Sequence, residues 1–192
     1  LIALAAASFA SIAAAGELRM GHAEVSITPP ANVPLAGYYH VRYSTGTHDP
    51  LKAKAIVLEK DGVRAAFVSL DLIGIPAAFV EKARTLIEGL TFVPGDNVMI
   101  SATHSHTGPL MNGMQRQIVP SLIGGRVKGV EQKAEAALRR WHNGLPGLIA
   151  NAVKAAEENL QPVEMSTAIA TEESVSFIRR FKMVDGSVGW NP

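Results

Sequence analysis

Residues 53–103 carry the pattern that most constrains the fold of this chain. Two apolar runs, residues 53–59 and 63–72, flank the dipeptide Asp61-Gly62. Asp-Gly between apolar runs predicts a β-hairpin, because glycine accepts the positive φ that a tight turn requires. The second run is nearly continuous in apolar residues, which predicts a strand buried on both faces of its sheet.

A helix and a third strand follow that hairpin. Pro76 has the fixed φ that suits the first turn of a helix, and residues 97–103, NVMISAT, predict another buried strand. A strand–helix–strand unit normally makes a right-handed crossover between parallel strands, so we expect these strands to lie side by side. The apolar residues of the helix recur at helical spacing and form one stripe: Phe79, Val80, Ala83, Leu86, Ile87 and Leu90.

The remaining elements complete an α/β fold. Residues 22–27 predict a short strand, and residues 31–50, rich in Gly and Pro, predict a long loop. Two amphipathic helices are expected over residues 131–142 and 145–160, and a second hairpin over residues 176–190. We therefore predict a mixed β-sheet with a strand–helix–strand crossover and flanking helices, incomplete at its C-terminal end.

Residues 1–15 predict the apolar core and cleavage site of a secretory signal peptide. They read LIALAAASFASIAAA, with Ala13 and Ala15 in the arrangement of small residues that precedes such a cleavage site. The run is shorter than the roughly 20 apolar residues of a spanning helix, and a buried alanine-rich helix is the alternative. We divide the chain into a partial signal peptide, residues 1–15, and one domain, residues 16–192, and expect a secreted or periplasmic protein.

Composition narrows the chemistry. The 192 residues contain no cysteine, which excludes disulfides, thiolate zinc sites and cysteine nucleophiles, so any metal must be held by His, carboxylate or Tyr. The formal net charge is +1, and no cluster of Lys and Arg with aromatic residues points to a nucleic-acid partner. The sequence also lacks the short motifs of serine hydrolases, P-loop proteins, HExxH metalloproteases and dinucleotide-binding proteins. It leaves the oligomeric state open.

Three polar residues follow the predicted parallel strands. Asp71 lies at the carboxyl end of one strand, and His104 lies just beyond the carboxyl end of the next. These ends meet at one edge of the sheet, where open α/β folds bind ligands. If the strand continued, His106 would share a face with His104, and the two could bind a metal together or divide metal and substrate contacts. From spacing alone, a hydrogen-bonded surface pair is the commoner arrangement, and Asp71 fits a strand-end cap equally well.

We expect structural roles for the other histidines. His22, His40 and His142 have no partner at a telling spacing. His48 precedes Asp49 and Pro50 in the long loop, and an Asp that starts a turn before proline is the simpler interpretation of that tripeptide.

The nine residues 101–109, SATHSHTGP, resemble the SATHTHSGP signature of the neutral/alkaline, non-lysosomal ceramidase family. Residues 175–181, VSFIRRF, are also similar to the family, although Ile178 stands where it usually has Asn. The resemblance covers nearly everything after the leader, so it implies that residues 16–192 are the N-terminal part of a ceramidase-like catalytic domain. Four further stretches resemble bacterial members in the same order: residues 25–30 (VSITPP), 34–38 (PLAGY), 48–51 (HDPL) and 69–72 (SLDL).

This resemblance implies a role for each site residue. His104 matches the first zinc-binding His of the family, and His106 matches the His that contacts the substrate or the developing oxyanion. Arg179 matches an Arg that reaches the substrate, and Asp71 is, by its position at the sheet edge, a candidate catalytic carboxylate. The implied cofactor is zinc, which activates a water for attack on the amide carbonyl of ceramide or a related N-acyl lipid. The implied partner is this small-molecule lipid amide, reached by peripheral contact with a membrane.

The family takes its other zinc ligands, a second His, a Glu and a Tyr, from later sequence. We therefore expect the 192 residues alone to bind zinc weakly and not to turn over substrate. Two alternatives stay open: a non-catalytic exported binding domain of the same fold, and a metal-dependent hydrolase with a different substrate.

Overall fold

The computed structural model of the chain describes residues 16–38, 42–111, 132–175 and 178–190. The predicted signal peptide, the structural role predicted for His40 and the first residues of the predicted second hairpin lie outside these ranges. No helix within them is long and apolar enough to cross a membrane.

A five-stranded mixed sheet forms the centre of the fold, with the strand order β6-β5-β4-β1-β7. Two further pairs, β2 with β3 and β8 with β9, form small two-stranded sheets. The strands are β1 (Arg19–Ser26), β2 (Pro34–Leu35), β3 (Arg42–Tyr43), β4 (Lys52–Lys60), β5 (Val63–Leu70), β6 (Val98–Ala102), β7 (Gln161–Pro162), β8 (Arg180–Lys182) and β9 (Val188–Trp190).

The hairpin and the crossover are confirmed. β4 and β5 pair antiparallel across Asp61 and Gly62, which have φ values of 52° and 80°, as a tight primed turn requires. β5 and β6 pair parallel, and helix α1 (Ala77–Leu90) connects them. The apolar stripe of α1 is narrower than predicted, since Ala83 and Ile87 are buried but Leu86 and Leu90 are exposed.

One long helix, α2 (Gln132–Glu158), replaces the two helices predicted for residues 131–142 and 145–160. Pro146 lies inside it and has no N–H to donate to the carbonyl of His142, which is the reason to expect a break there. The helix continues because buried apolar residues lie on both sides of the proline, with Trp141 before it and Ile149 after it. Their packing on the sheet outweighs one lost backbone hydrogen bond.

The two faces of the sheet differ. One face packs under α1 and α2 and contributes Val57, Val68 and Val98 to the core. On the other face, Ile56 and Phe67 are paired across β4 and β5, Phe67 and Met99 across β5 and β6, and all three are exposed. The prediction that β5 is buried on both faces is therefore wrong for this structure, because no described element covers the second face.

Candidate functional site

The carboxyl ends of β5 and β6 lie together, as the crossover predicts. Beyond the two strands, the Thr103 amide donates to the Leu70 carbonyl at 2.9 Å and the Ser105 amide donates to the Leu72 carbonyl at 3.0 Å. These bonds extend the parallel pairing past its last strand residues. They bring the segment that holds His104 alongside the segment that begins with Asp71.

His104 is held in an unusual backbone conformation. Its φ is +64°, a left-handed value that costs a non-glycine residue about 1–2 kcal/mol. Its ring Nδ1 lies 2.8 Å from the carbonyl oxygen of Ile73. Because a carbonyl oxygen only accepts, Nδ1 carries a proton, and in the neutral ring Nε2 keeps its lone pair. The residue is exposed, so the ring is not enclosed by apolar side chains.

His106 lies next to His104, but not because the strand continues. β6 ends at Ala102, and the left-handed turn at His104 redirects the chain. The two imidazole centroids are nevertheless 5.0 Å apart, with an interplanar angle of 72°. The sequence therefore predicted correctly that the two rings are neighbours. The reason given, a strand that continues through both residues, is wrong.

The loop that contains β2 and β3 passes directly over His106. The Tyr38 ring meets the His106 ring edge-on, with centroids 6.1 Å apart, and the Arg42 guanidinium lies 3.5 Å above the centre of the Tyr38 ring. Arg42 Nη2 donates to the His106 carbonyl at 3.2 Å. Gly37, with φ +93°, comes so close that a Cβ there would lie 2.4 Å from Cγ of His106. We singled out none of these contacts in the sequence, although Gly37 and Tyr38 belong to one of the stretches that resemble the family.

Hydrogen bonds at Gly108 and Leu110 fix the chain that follows His106. Backbone bonds run from the Ala36 amide to the Gly108 carbonyl at 3.0 Å and from the Leu110 amide to the Pro34 carbonyl at 2.8 Å. His142, buried in α2, donates from Nε2 to the Leu110 carbonyl at 3.1 Å. Burial lowers the pKa of His142, and the hydrogen bond to Leu110 opposes that shift only partly. His142 thus occupies a structural position.

Asp71 lies at the sheet edge and is bound to β4. Its Oδ2 accepts from the Lys52 amide at 3.0 Å, and its own amide donates to the Lys52 carbonyl at 3.0 Å. These are the contacts of a strand-end cap. The predicted catalytic role of Asp71 stays a prediction.

A cavity of about 620 Å³ lies beside the histidine pair. Asp71 lines it together with Thr103, Ser105 and Thr107, and the loop residues 42–51 form its other wall. The residues that alternate with the two histidines therefore face this cavity. His104 and His106 are not among its lining residues.

Arg179 is exposed and lies just before β8. Within the described ranges it makes no polar contact with His104 or His106, so the structure does not bring the predicted substrate-binding Arg to the pair. Its assignment stays a prediction.

The residues present fit part of a zinc site. A zinc-binding His characteristically donates its second ring nitrogen to a carbonyl or carboxylate, and His104 does so with Ile73. No group of three or more His, Asp or Glu suited to a metal occurs among the residues that the structure describes. His104, with His106 beside it, accounts for a fraction of the three or four ligands that zinc usually takes.

The mixed sheet, the crossover and the arrangement of its elements define a ceramidase-like fold. A solved structure of neutral ceramidase from Pseudomonas aeruginosa is similar to this chain, with a TM-score of 0.56 and 25% identity over 77% of this chain and 22% of that one. A structure of a ceramidase complexed with C2 is similar as well, with a TM-score of 0.55 and 25% identity over the same shares. The chain therefore spans 22% of the length of the ceramidases it matches. No protein-family model and no curated protein matches it.

Proposed function

We propose that this chain supplies the first metal-binding segment of a zinc-dependent hydrolase that cleaves the amide bond of ceramide or a related N-acyl lipid. The proposal depends on the backbone conformation and the ring hydrogen bond of His104. Its Nδ1 is bonded to Ile73, so Nε2 at the exposed sheet edge has no hydrogen-bond partner among the described residues. Its backbone is strained, and strain of this kind is concentrated at functional sites. The likeness to two ceramidase structures supports the choice of reaction.

The two histidines have different parts in this proposal. His104 binds zinc through Nε2, while His106, whose ring makes no hydrogen bond within the described ranges, contacts the amide carbonyl of the substrate. A bound zinc ion supplies Lewis-acid activation of the water that attacks this carbonyl. Asp71 is a candidate carboxylate at the same edge, although its Oδ2 already accepts from Lys52.

Location and substrate access are part of the same proposal. The apolar leader pattern in residues 1–15 supports export to a secreted or periplasmic location. A lipid amide resides in or near a membrane, so the enzyme reaches its substrate by peripheral contact.

A metal-binding experiment on this chain tests the role of His104. We expect isothermal titration with zinc to give one weak site, because too few ligands are present for a tight one. His104→Ala removes that site, whereas His22→Ala, an exposed histidine on β1, leaves it unchanged. One-to-one binding at nanomolar affinity, or zinc binding that survives His104→Ala, would contradict the assignment.

Hydrolysis by the full-length protein tests the reaction. We expect release of fatty acid from an N-acyl sphingosine, and a loss of at least about 100-fold in kcat/KM in His104→Ala, because the attacking water loses its activation. Zinc binding without hydrolysis of any amide or ester would identify an exported binding domain. Hydrolysis of esters alone would identify a different hydrolase.

A further inference from the structure

We propose that Arg42, Tyr38 and Gly37 are positioning residues that fix the orientation of His106. This inference rests on the function proposed above for His106. The two site histidines differ in how their rings are held. A carbonyl holds the ring of His104 at Nδ1, whereas the ring of His106 makes no hydrogen bond to any residue that the structure describes. A ring that must present a nitrogen to substrate therefore needs to be fixed by its backbone and by packing.

Arg42 fixes the backbone of His106. Its Nη2 donates to the His106 carbonyl at 3.2 Å, across 64 positions of sequence. The Arg42 guanidinium is in turn held flat on the Tyr38 ring, 3.5 Å from its centre, the geometry of a cation–π contact. Arg42 Nε is buried without a hydrogen-bond partner in the described part of the chain. A buried N–H without a hydrogen bond is costly, so the contacts of Arg42 with Tyr38 and His106 are what hold this side chain in place.

Tyr38 acts on the ring itself. The His106 imidazole lies between two other rings, with the Tyr38 centroid at 6.1 Å and an interplanar angle of 75°, and with the His104 centroid at 5.0 Å. Both contacts are edge-to-face, an arrangement that aromatic rings favour. Arg42 thus fixes the position of the Tyr38 ring, and Tyr38 limits the rotation of the His106 ring.

Gly37 provides the space that this arrangement needs. A Cβ at residue 37 would lie 2.4 Å from Cγ and 2.7 Å from Cα of His106, which are distances that atoms do not reach. Its φ of +93° is also a value that side chains rarely adopt. Any side chain at residue 37 would therefore displace His106.

Removal of Arg42 tests the inference in two ways. In Arg42→Ala, we expect the nuclear Overhauser effect between the Tyr38 and His106 rings to weaken and the ring resonances of His106 to shift, measured in this chain. In the full-length protein, we expect kcat for the N-acyl lipid to fall at least tenfold while KM and zinc content change less than twofold, because a misplaced group loses rate more than binding. Arg42→Lys keeps the charge without the stacked plane and gives an intermediate result.

Arg140→Ala is the matched control. Arg140 is exposed on α2, so this variant removes an equal charge and leaves both readouts unchanged. Wild-type ring contacts and wild-type kcat in a folded Arg42→Ala would overturn the inference. If the wild type hydrolyses no amide, the proposed function fails, and the ring measurements still decide whether Arg42 positions His106.

A second pair of variants decides the matter if Arg42→Ala does not fold. Gly37→Ala and Gly62→Ala both place an alanine at positive φ, but a Cβ at residue 62 meets nothing within 4 Å. We expect Gly37→Ala alone to shift the His106 resonances. Equal spectra of His106 in the two variants would contradict the role of Gly37 and, with it, the positioning of His106 by this loop.

Discussion

A comparison of His104 with His142 shows that burial and neighbouring groups determine whether a histidine ring can bind a ligand. Each has one ring nitrogen on a backbone carbonyl, Ile73 for His104 and Leu110 for His142. His104 is exposed, and its second nitrogen has no hydrogen-bond partner in the described ranges. The second nitrogen of His142 is buried and has no hydrogen-bond partner among the described residues, and the ring lies against Trp141. The same side chain is therefore suited to ligand binding at the sheet edge and to anchoring inside the core.

The burial of His142 predicts an acid-sensitive fold. Its folded-state pKa lies below the ordinary value of 6.5 because burial disfavours the charged ring. The unfolded state therefore binds the proton first as the pH falls. The stability that neutral His142 provides is present above about pH 6.5 and is lost as the pH falls from there toward the lower folded-state pKa.

Denaturant titrations at several pH values measure this effect. We expect the free energy of unfolding to fall more steeply between about pH 7 and about pH 5 in the wild type than in His142→Gln, whose side chain does not titrate. His22→Gln, at an exposed position, serves as the control and keeps the wild-type slope. Parallel pH profiles for the wild type and His142→Gln would show that His142 is not the group responsible.

Individual residues also show where sequence reasoning reaches its limit. The string around His104 and His106 marked the site because of its residue types, and the parallel strands placed it beside Asp71. The left-handed φ of His104 was not predicted, because histidine adopts this conformation in only a small minority of cases and glycine is the residue that indicates it clearly. The contact of Arg42 with His106 joins positions far apart in the chain, and no local pattern encodes it.

Among the elements, local patterns predicted the hairpin β4–β5 and the crossover to β6 well. Turn chemistry and helical spacing are properties of neighbouring residues, so the sequence carries them directly. The helix α2 was predicted as two amphipathic helices, and the tertiary packing that carries one helix through Pro146 is not visible in a local pattern. The uncovered face of β5 was missed for a similar reason, since an apolar run does not reveal what packs against it.

Substitution by alanine of one glycine in α2 and one in β1 is expected to change the free energy of unfolding in opposite directions. Gly144 lies inside α2 with open space around its missing Cβ, whereas a Cβ on Gly21 in β1 would lie 1.9 Å from the Ala156 carbonyl oxygen. We expect Gly144→Ala to raise the free energy of unfolding by about 0.5–1 kcal/mol, because alanine loses less backbone entropy in a helix. Gly21→Ala lowers it by about 1–3 kcal/mol, because β1 must move away from the end of α2.

Chemical denaturation of both variants beside the wild type provides the measurement. A stabilised Gly21→Ala would show that β1 and the end of α2 are less closely packed than the structure indicates. A destabilised Gly144→Ala would show that the glycine relieves strain in the turn of α2 before Pro146.

At the scale of the whole molecule, the described elements cover one apolar face of the sheet and leave the other exposed. Ile56, Phe67 and Met99 form a row across β4, β5 and β6, and their exposed fractions are 41%, 43% and 55%. Contiguous exposed apolar surface favours association and the binding of apolar dyes. Among the described residues, this row is therefore an apolar surface that favours association of the chain.

Substitution within this row tests that conclusion. We expect Phe67→Thr to lower the binding of an apolar fluorescent dye while it changes the free energy of unfolding by less than about 1 kcal/mol, since threonine suits a strand. Val57→Thr, at a fully buried position on the other face, costs about 1–3 kcal/mol because its hydroxyl is buried. Equal dye binding by the wild type and Phe67→Thr would contradict this assignment of the exposed surface.

The antiparallel bridge between Leu35 and Pro109 has a consequence for the order in which the molecule folds. The loop that holds Leu35 precedes β4, β5, α1 and β6 in the chain, and the segment that holds Pro109 follows them. Bringing these two segments together in an unfolded chain therefore carries a large entropic cost. The β4–β5 hairpin and the crossover to β6 shorten the chain between these two segments when they form. We therefore expect the loop to close over His106 late in folding, and a change that slows sheet formation to delay the contacts of Tyr38 and Arg42 with His106.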